Sequence, residues 1–252
     1  MRTFFAILLS LNFLYALGES PTTTTADERK VISVFINNVK NNDREKVANK
    51  VRFPLKREYP LPNVENRNDF LRRYDALFDD NFKKMISNSD PATDWTSAGW
   101  RGLTINNGDL YLDYDGSLYA INYLSEIEKK KKEELIESEK NYLHSSVMKF
   151  NKPVLLLQAP KLIVRIDDMG EGDLRYVSWS NKKMNDTPDV ILQRGKLIPV
   201  GNEGSFICSF KDRTYTYKCV ITANKAMARE AKIIITRSEV ELLNQEAQII
   251  GE

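Results

Sequence analysis

The chain has 252 residues, 42% of them apolar, enough for one large or two small packed domains. Its 37 basic and 35 acidic residues leave a formal charge of +2, too balanced for an electrostatic nucleic-acid binder, and no nucleic-acid partner is expected. Even the densest basic run, Lys129 to Lys132, meets Glu133 and Glu134 at once, as a solvated helix face does.

Met1-Arg2-Thr3, the apolar block Phe4 to Leu14 and small residues at Ala16 and Gly18 predict a secretory signal peptide over residues 1–18, cleaved near Gly18. The block falls short of the roughly 20 residues a membrane span needs, so no transmembrane segment is expected once the signal is removed. No cysteine stands near the cleavage site for a lipid anchor, and a periplasmic location is expected. Residues 19–25 read as a polar spacer, closing on Thr25, which with Glu28 has capping-box spacing.

A helix then carries Ile32, Phe35, Ile36 and Val39 as one apolar stripe, and a shorter one opens at Asn42 or Asp43. Pro54, Pro60 and Pro62 predict an extended loop over residues 53–64. A third helix begins near Asn66 and turns Phe70, Tyr74, Leu77 and Phe78 inward, with a break at Asp79-Asp80. Trp95 to Tyr123 reads as a β-meander: Leu110, Leu112 and Tyr114 alternate with polar positions, and Asn106-Asn107-Gly108 and Asp115-Gly116 supply hairpin turns. A connecting helix is expected within residues 124–151, opened by a capping box of Ser125 and Glu128. Its first half is solvated, and Leu143, Val147 and Phe150 dock its end.

From residue 152 to 252 short strand-like runs (VLLLQA, KLIVRI, LRYVSW, DVILQ, KLIPV, SFICSF, TYTYKCVI, KIIIT) alternate with turn residues and predict a small antiparallel sandwich or barrel. Cys208 and Cys219 flank one turn, and in an oxidising compartment they are expected to form a disulfide. The fold class is therefore α+β: N-terminal helices on a curved antiparallel sheet, a connecting helix, then an all-β domain.

Three helical segments followed by a meander with Gly99-Trp100-Arg101-Gly102-Leu103, Asn107-Gly108-Asp109 and Ala120-Ile121-Asn122-Tyr123 resemble the nuclear transport factor 2-like fold over residues 26–123. The stretch Arg52-Phe53-Pro54-Leu55 to Tyr59-Pro60-Leu61 is similar to that of exported bacterial members. The resemblance implies a cone of helices on a sheet, with a pocket between them, in a family that holds isomerases, dehydratases and binding subunits alike. In an isomerase-like member Asp109 or Asp113 would serve as base. Four apart on one strand, they would stand about 13 Å from each other, too far for paired carboxylate chemistry.

No cofactor is expected. His144 is the only histidine and has no second ligand at metal spacing. The acidic run Asp167, Asp168, Glu171 and Asp173 lacks the spacing of a calcium loop and reads as a hairpin turn. The meander carries more aromatic side chains than one buried face uses. Tyr59, Trp100, Arg101, Tyr111 and Asp113 are therefore the candidate binding residues, for a periplasmic protein or a small apolar ligand.

Overall fold

The computed structural model describes residues 22–201, 204–223 and 229–252. The expected signal peptide and its cleavage near Gly18 lie outside the described residues.

Three of the four N-terminal helices start on a short polar side chain that satisfies backbone donors the helix itself leaves unpaired. Thr25 and Glu28 form a complete capping box at α1 (Ala26–Lys40). Asp43 precedes α2 (Arg44–Ala48), Asn66 caps α3 (Arg67–Leu77), and Asp79 caps α4 (Asp80–Ser87). Their apolar faces meet one face of a five-stranded antiparallel sheet of β1 (Thr22–Thr23), β2 (Trp95–Ser97), β3 (Leu103–Ile105), β4 (Leu110–Leu112) and β5 (Leu118–Ile121), ordered as in the chain. Ile32, Phe70, Tyr74, Phe78, Phe82, Leu103, Leu112 and Leu118 fill the space between the two layers. The expected spacer ends in structure, because Thr22 and Thr23 pair with Ser97 and Thr96 and extend the sheet by one strand.

The proline-rich loop lies against α5 (Glu126–Tyr142), and its alternate residues reach inward. Leu55 enters the first core, Arg57 pairs with Glu128, and the Tyr59 hydroxyl donates to Glu139 at 2.6 Å. Ser125 caps α5 through the Glu128 N–H, but the Glu128 carboxylate does not reach back to complete the expected capping box. It is buried and taken by Arg57, whose guanidinium also donates to the carbonyls of Ile121 and Tyr123. The first turns of α5 are otherwise exposed as expected, and Glu128 anchors them to the first domain.

The second half is an eight-stranded up-and-down barrel: β6 (Lys152–Ala159), β7 (Leu162–Gly170), β8 (Asp173–Ser180), β9 (Val190–Val200), β10 (Ser205–Asp212), β11 (Tyr215–Ala223), β12 (Arg229–Arg237) and β13 (Val240–Gly251). Each strand pairs antiparallel with the next, and β13 returns to β6, so the sheet closes. DVILQ and KLIPV are one strand, β9, and the C-terminal VELLNQEAQIIG supplies the eighth. Eight strands enclose a space that side chains can fill. Leu155, Val164, Ile166, Tyr176, Phe210, Ile221 and Ile233 do so, and Gly195 leaves room for the Phe210 ring, which a Cβ there would strike.

The expected disulfide is not formed. Cys208 and Cys219 are direct cross-strand partners on β10 and β11, both buried in the barrel interior as free thiols. Disulfide chemistry starts from a thiolate, and burial opposes that form by pushing Cys208 up to about 12 and Cys219 well above its ordinary value. The two side chains pack as small hydrophobes.

Candidate functional site

Four of the five candidate residues come together on the meander. Between β2 and β3 the chain makes one 3-10 turn, Gly99–Arg101, which lifts Trp100 off the sheet. The turn is tied down on all sides. Ala98 N–H donates to the Gly102 carbonyl at 2.7 Å, the Tyr114 hydroxyl to the Gly99 carbonyl at 2.7 Å, and the Tyr119 hydroxyl to the Arg101 carbonyl. Gly102 exits at φ +74°, and a Cβ there would run into the Leu112 carbonyl oxygen. Only glycine satisfies both demands.

The result is an indole 55% exposed on a fixed backbone, with the Arg101 guanidinium 5.5 Å from its ring centre. Tyr119, whose hydroxyl reaches the Arg101 carbonyl, holds its ring 5.9 Å from that of Tyr111. Burial, with the neighbouring Tyr111 and Asp113, holds the Tyr119 phenol in its protonated, donating form. Asp113 is committed locally: Arg52 lies 2.5 Å from one oxygen, and the Tyr114 N–H donates to the other at 2.7 Å. Asp109 is raised above the usual carboxylate range by burial and accepts from Asn106. Both acids are half-buried at the rim of the sheet, and the layer between sheet and helices is occupied by apolar side chains.

Tyr59, the fifth candidate, is elsewhere. Its ring lies on Gly251, its N–H donates to the Glu252 carbonyl at 2.9 Å, and its hydroxyl joins a buried cluster where α5 meets the outer wall of the barrel. There Glu139 also accepts from Arg165 at 2.8 Å, Asp167 accepts from Arg165 and Arg175 at 2.6 Å each, and Arg175 donates to the carbonyls of Val147 and Lys149. The Arg165 guanidinium stands 4.6 Å from the centre of the Phe150 ring. Two carboxylates against two guanidiniums make the cluster neutral. Burial pushes the Asp167 carboxyl up, the two arginines oppose it, and the short bonds from both sides mark it as ionised. Burial and the Glu139 carboxylate raise the Tyr59 phenol, which stays a donor.

Sequence reasoning missed Arg165, Arg175 and Glu139, and read Phe150 only as a residue that docks the end of the connecting helix. The signal was Arg165 and Asp167 at alternate positions of a run that otherwise reads as strand, which puts a charge pair on one face. A groove of about 270 Å³ borders the cluster, lined by Ser138, Glu139, Tyr142, Leu143, Arg165 and Met184. One Arg165 nitrogen, Nη2, is buried beside it with no partner.

Asp167 belongs to the outer-wall cluster and the buried Asp168 accepts from the Gly170 N–H, so the acidic run forms the β7–β8 hairpin with only Glu171 and Asp173 at its tip. No group of three potential metal ligands occurs among the described residues. His144 contacts Ser146 and Thr187 at the surface.

The fold and site define a class by form: an α+β domain presenting a pinned aromatic turn, joined by a docked helix to a closed, side-chain-filled barrel. The chain matches no protein-family model, no curated protein and no solved structure.

Proposed function

We propose that the chain is a non-catalytic binding protein of the periplasm whose recognition element is the Trp100 turn. The observation that carries this reading is an indole more than half exposed on a backbone fixed by three hydrogen bonds and a glycine that no other residue replaces. An exposed tryptophan on a preorganised turn, with a half-buried arginine against it, is what protein interfaces use as an anchor, because little ordering entropy remains to be lost on binding. The partner fitted by this surface is a protein with an apolar pocket for the indole and a hydrogen-bond acceptor for Arg101. An immunity or inhibitor protein acting on a toxin or cell-wall enzyme is the particular role proposed. The helices on one sheet face support a nuclear-transport-factor-2-like first domain.

An isomerase-like activity has less support, since Asp113 is engaged by Arg52 and the Tyr114 N–H, and the space such a pocket would occupy is filled. A photo-cross-linking amino acid at position 100, expressed in cells, tests the proposal. One discrete adduct, weakened by Arg101→Ala and unaffected by Asp113→Asn, is expected. Equal labelling from an exposed control position such as Ile191 would sink it.

A further inference from the structure

The barrel closes along only part of its last strand. β13 pairs with β12 from Val240↔Arg237 to Ala247↔Ala231, yet with β6 only at Gln248, Ile249 and Gly251. β6 ends at Ala159, one residue past the Gln158↔Gln248 pair, and the chain turns there into β7. Residues 240–246 therefore run beyond the β6–β7 turn with one edge that no other described strand pairs. At about 3.3 Å per residue that edge is about 23 Å long. Among the described residues, none in this stretch makes a backbone hydrogen bond outside the β12 ladder.

Uncovered strand edges are usually short, interrupted by proline, or lined with lysine, because unpaired N–H and C=O groups recruit other strands. This one is long, has no proline and no lysine, is interrupted only by the bulge opposite Ile235–Thr236, and displays Val240 at 65% and Leu242 at 56% exposure. Its charge has one sign: Glu239, Glu241 and Glu246 are exposed, and no Lys or Arg occurs from residue 238 to 252. A second copy of the chain would bring three more glutamates and no cation to the same edge, so self-pairing is opposed by like charge.

We propose that residues 240–246 are a docking edge for an extended segment of another protein, in which Lys or Arg alternates with aliphatic residues, added beside β13 as a further strand. The backbone supplies the affinity, the glutamates select a basic segment, and Val240 and Leu242 receive its aliphatic side chains. The surface is separate from the Trp100 turn and stands without it.

The test is amide hydrogen exchange on the full chain with a synthetic eight-residue peptide of alternating lysine and valine. Exchange within residues 240–246 should slow at least tenfold while β10 and β11 stay unchanged, a glutamate–valine peptide should have no effect, and Glu241→Lys with Glu246→Lys should exchange the two preferences. No slowing with the lysine peptide, or equal slowing with both, would overturn the proposal. Slowing in the peptide-free protein that deepens with protein concentration would also overturn it by assigning the edge to a second copy. If the double variant fails to keep the β10 and β11 protection of the native chain, the contrast between the two peptides on the native chain decides.

Discussion

Two of the places where a guanidinium stands against an aromatic ring differ in what lies on top. Arg165 stands 4.6 Å from the Phe150 ring centre and is covered: α5 brings Glu139, the proline-rich loop brings Tyr59, and neither Arg165 nor Asp167 reaches solvent. Arg101 stands 5.5 Å from the Trp100 ring centre, and the described residues leave the indole 55% exposed. The buried site is a completed interface between two parts of one chain, with a carboxylate and a phenol meeting the guanidinium. The open site has the same kind of anchor on an equally fixed backbone and lacks the second half. The contrast is the reason for assigning recognition to the Trp100 turn.

The comparison is broken most severely at the covered site. Asp167→Asn removes the charge that holds two buried arginines together, and loss of one partner from such a cluster costs about 3–5 kcal/mol. Urea unfolding should register that loss. Gly102→Ala acts on the open site: it forces a left-handed position and a clash with the Leu112 carbonyl, costing about 1–3 kcal/mol and displacing Trp100 while leaving it in the sequence. A variant with normal partner binding would contradict the role given to the pinned turn.

Alkaline pH weakens the barrel half first, because its buried thiols ionise in the unfolded chain at a lower pH than the buried phenols of the first half do. The folded Cys208 thiol is pushed up to about 12 by burial, while in the unfolded chain it ionises near its ordinary value of 9. A group with a raised folded value contributes fully below the unfolded value and loses that contribution as pH rises towards the folded one. Stability should therefore hold up to about pH 8 and fall from about pH 9 upward, less steeply in a Cys208→Ala, Cys219→Ala variant. Identical slopes would contradict the burial of both thiols. The smallest effect is Tyr59→Phe, about 1 kcal/mol by thermal unfolding, because Glu139 keeps Arg165 as a partner.

Much of the first half was legible because its signals are local. Thr25 and Asn66 cap the helices they were expected to open, Asp79, read as a break, caps the next helix, and Asn106, Asn107 and Gly108 all adopt the positive φ that their turn needs. The Asp115-Gly116 hairpin is longer than a two-residue turn, since β4 ends at Leu112 and β5 starts at Leu118. Of the site, Trp100, Arg101, Tyr111 and Asp113 were readable as neighbours because they share one meander. Tyr59 was not, because its partners Glu139 and Gly251 are distant in sequence and only tertiary packing brings them together. β13 escaped notice for a different reason. Val240 to Gly251 is rich in Glu, Gln, Leu and Ala, which favour helix, and pairing along β12 overrides that preference. The cysteines were misread because their spacing in sequence says nothing about a dry interior.

The most direct test of the central claim is the affinity of the cross-linked partner, once identified, for the native chain and for Trp100→Ala, with urea midpoints recorded on both. Trp100 is exposed, so its removal should leave the midpoint within about 0.5 kcal/mol of native stability. Binding should weaken by about 2–4 kcal/mol, roughly 30- to 1000-fold, as loss of a central interface anchor does. Unchanged affinity with an unchanged midpoint would contradict the assignment of recognition to this turn.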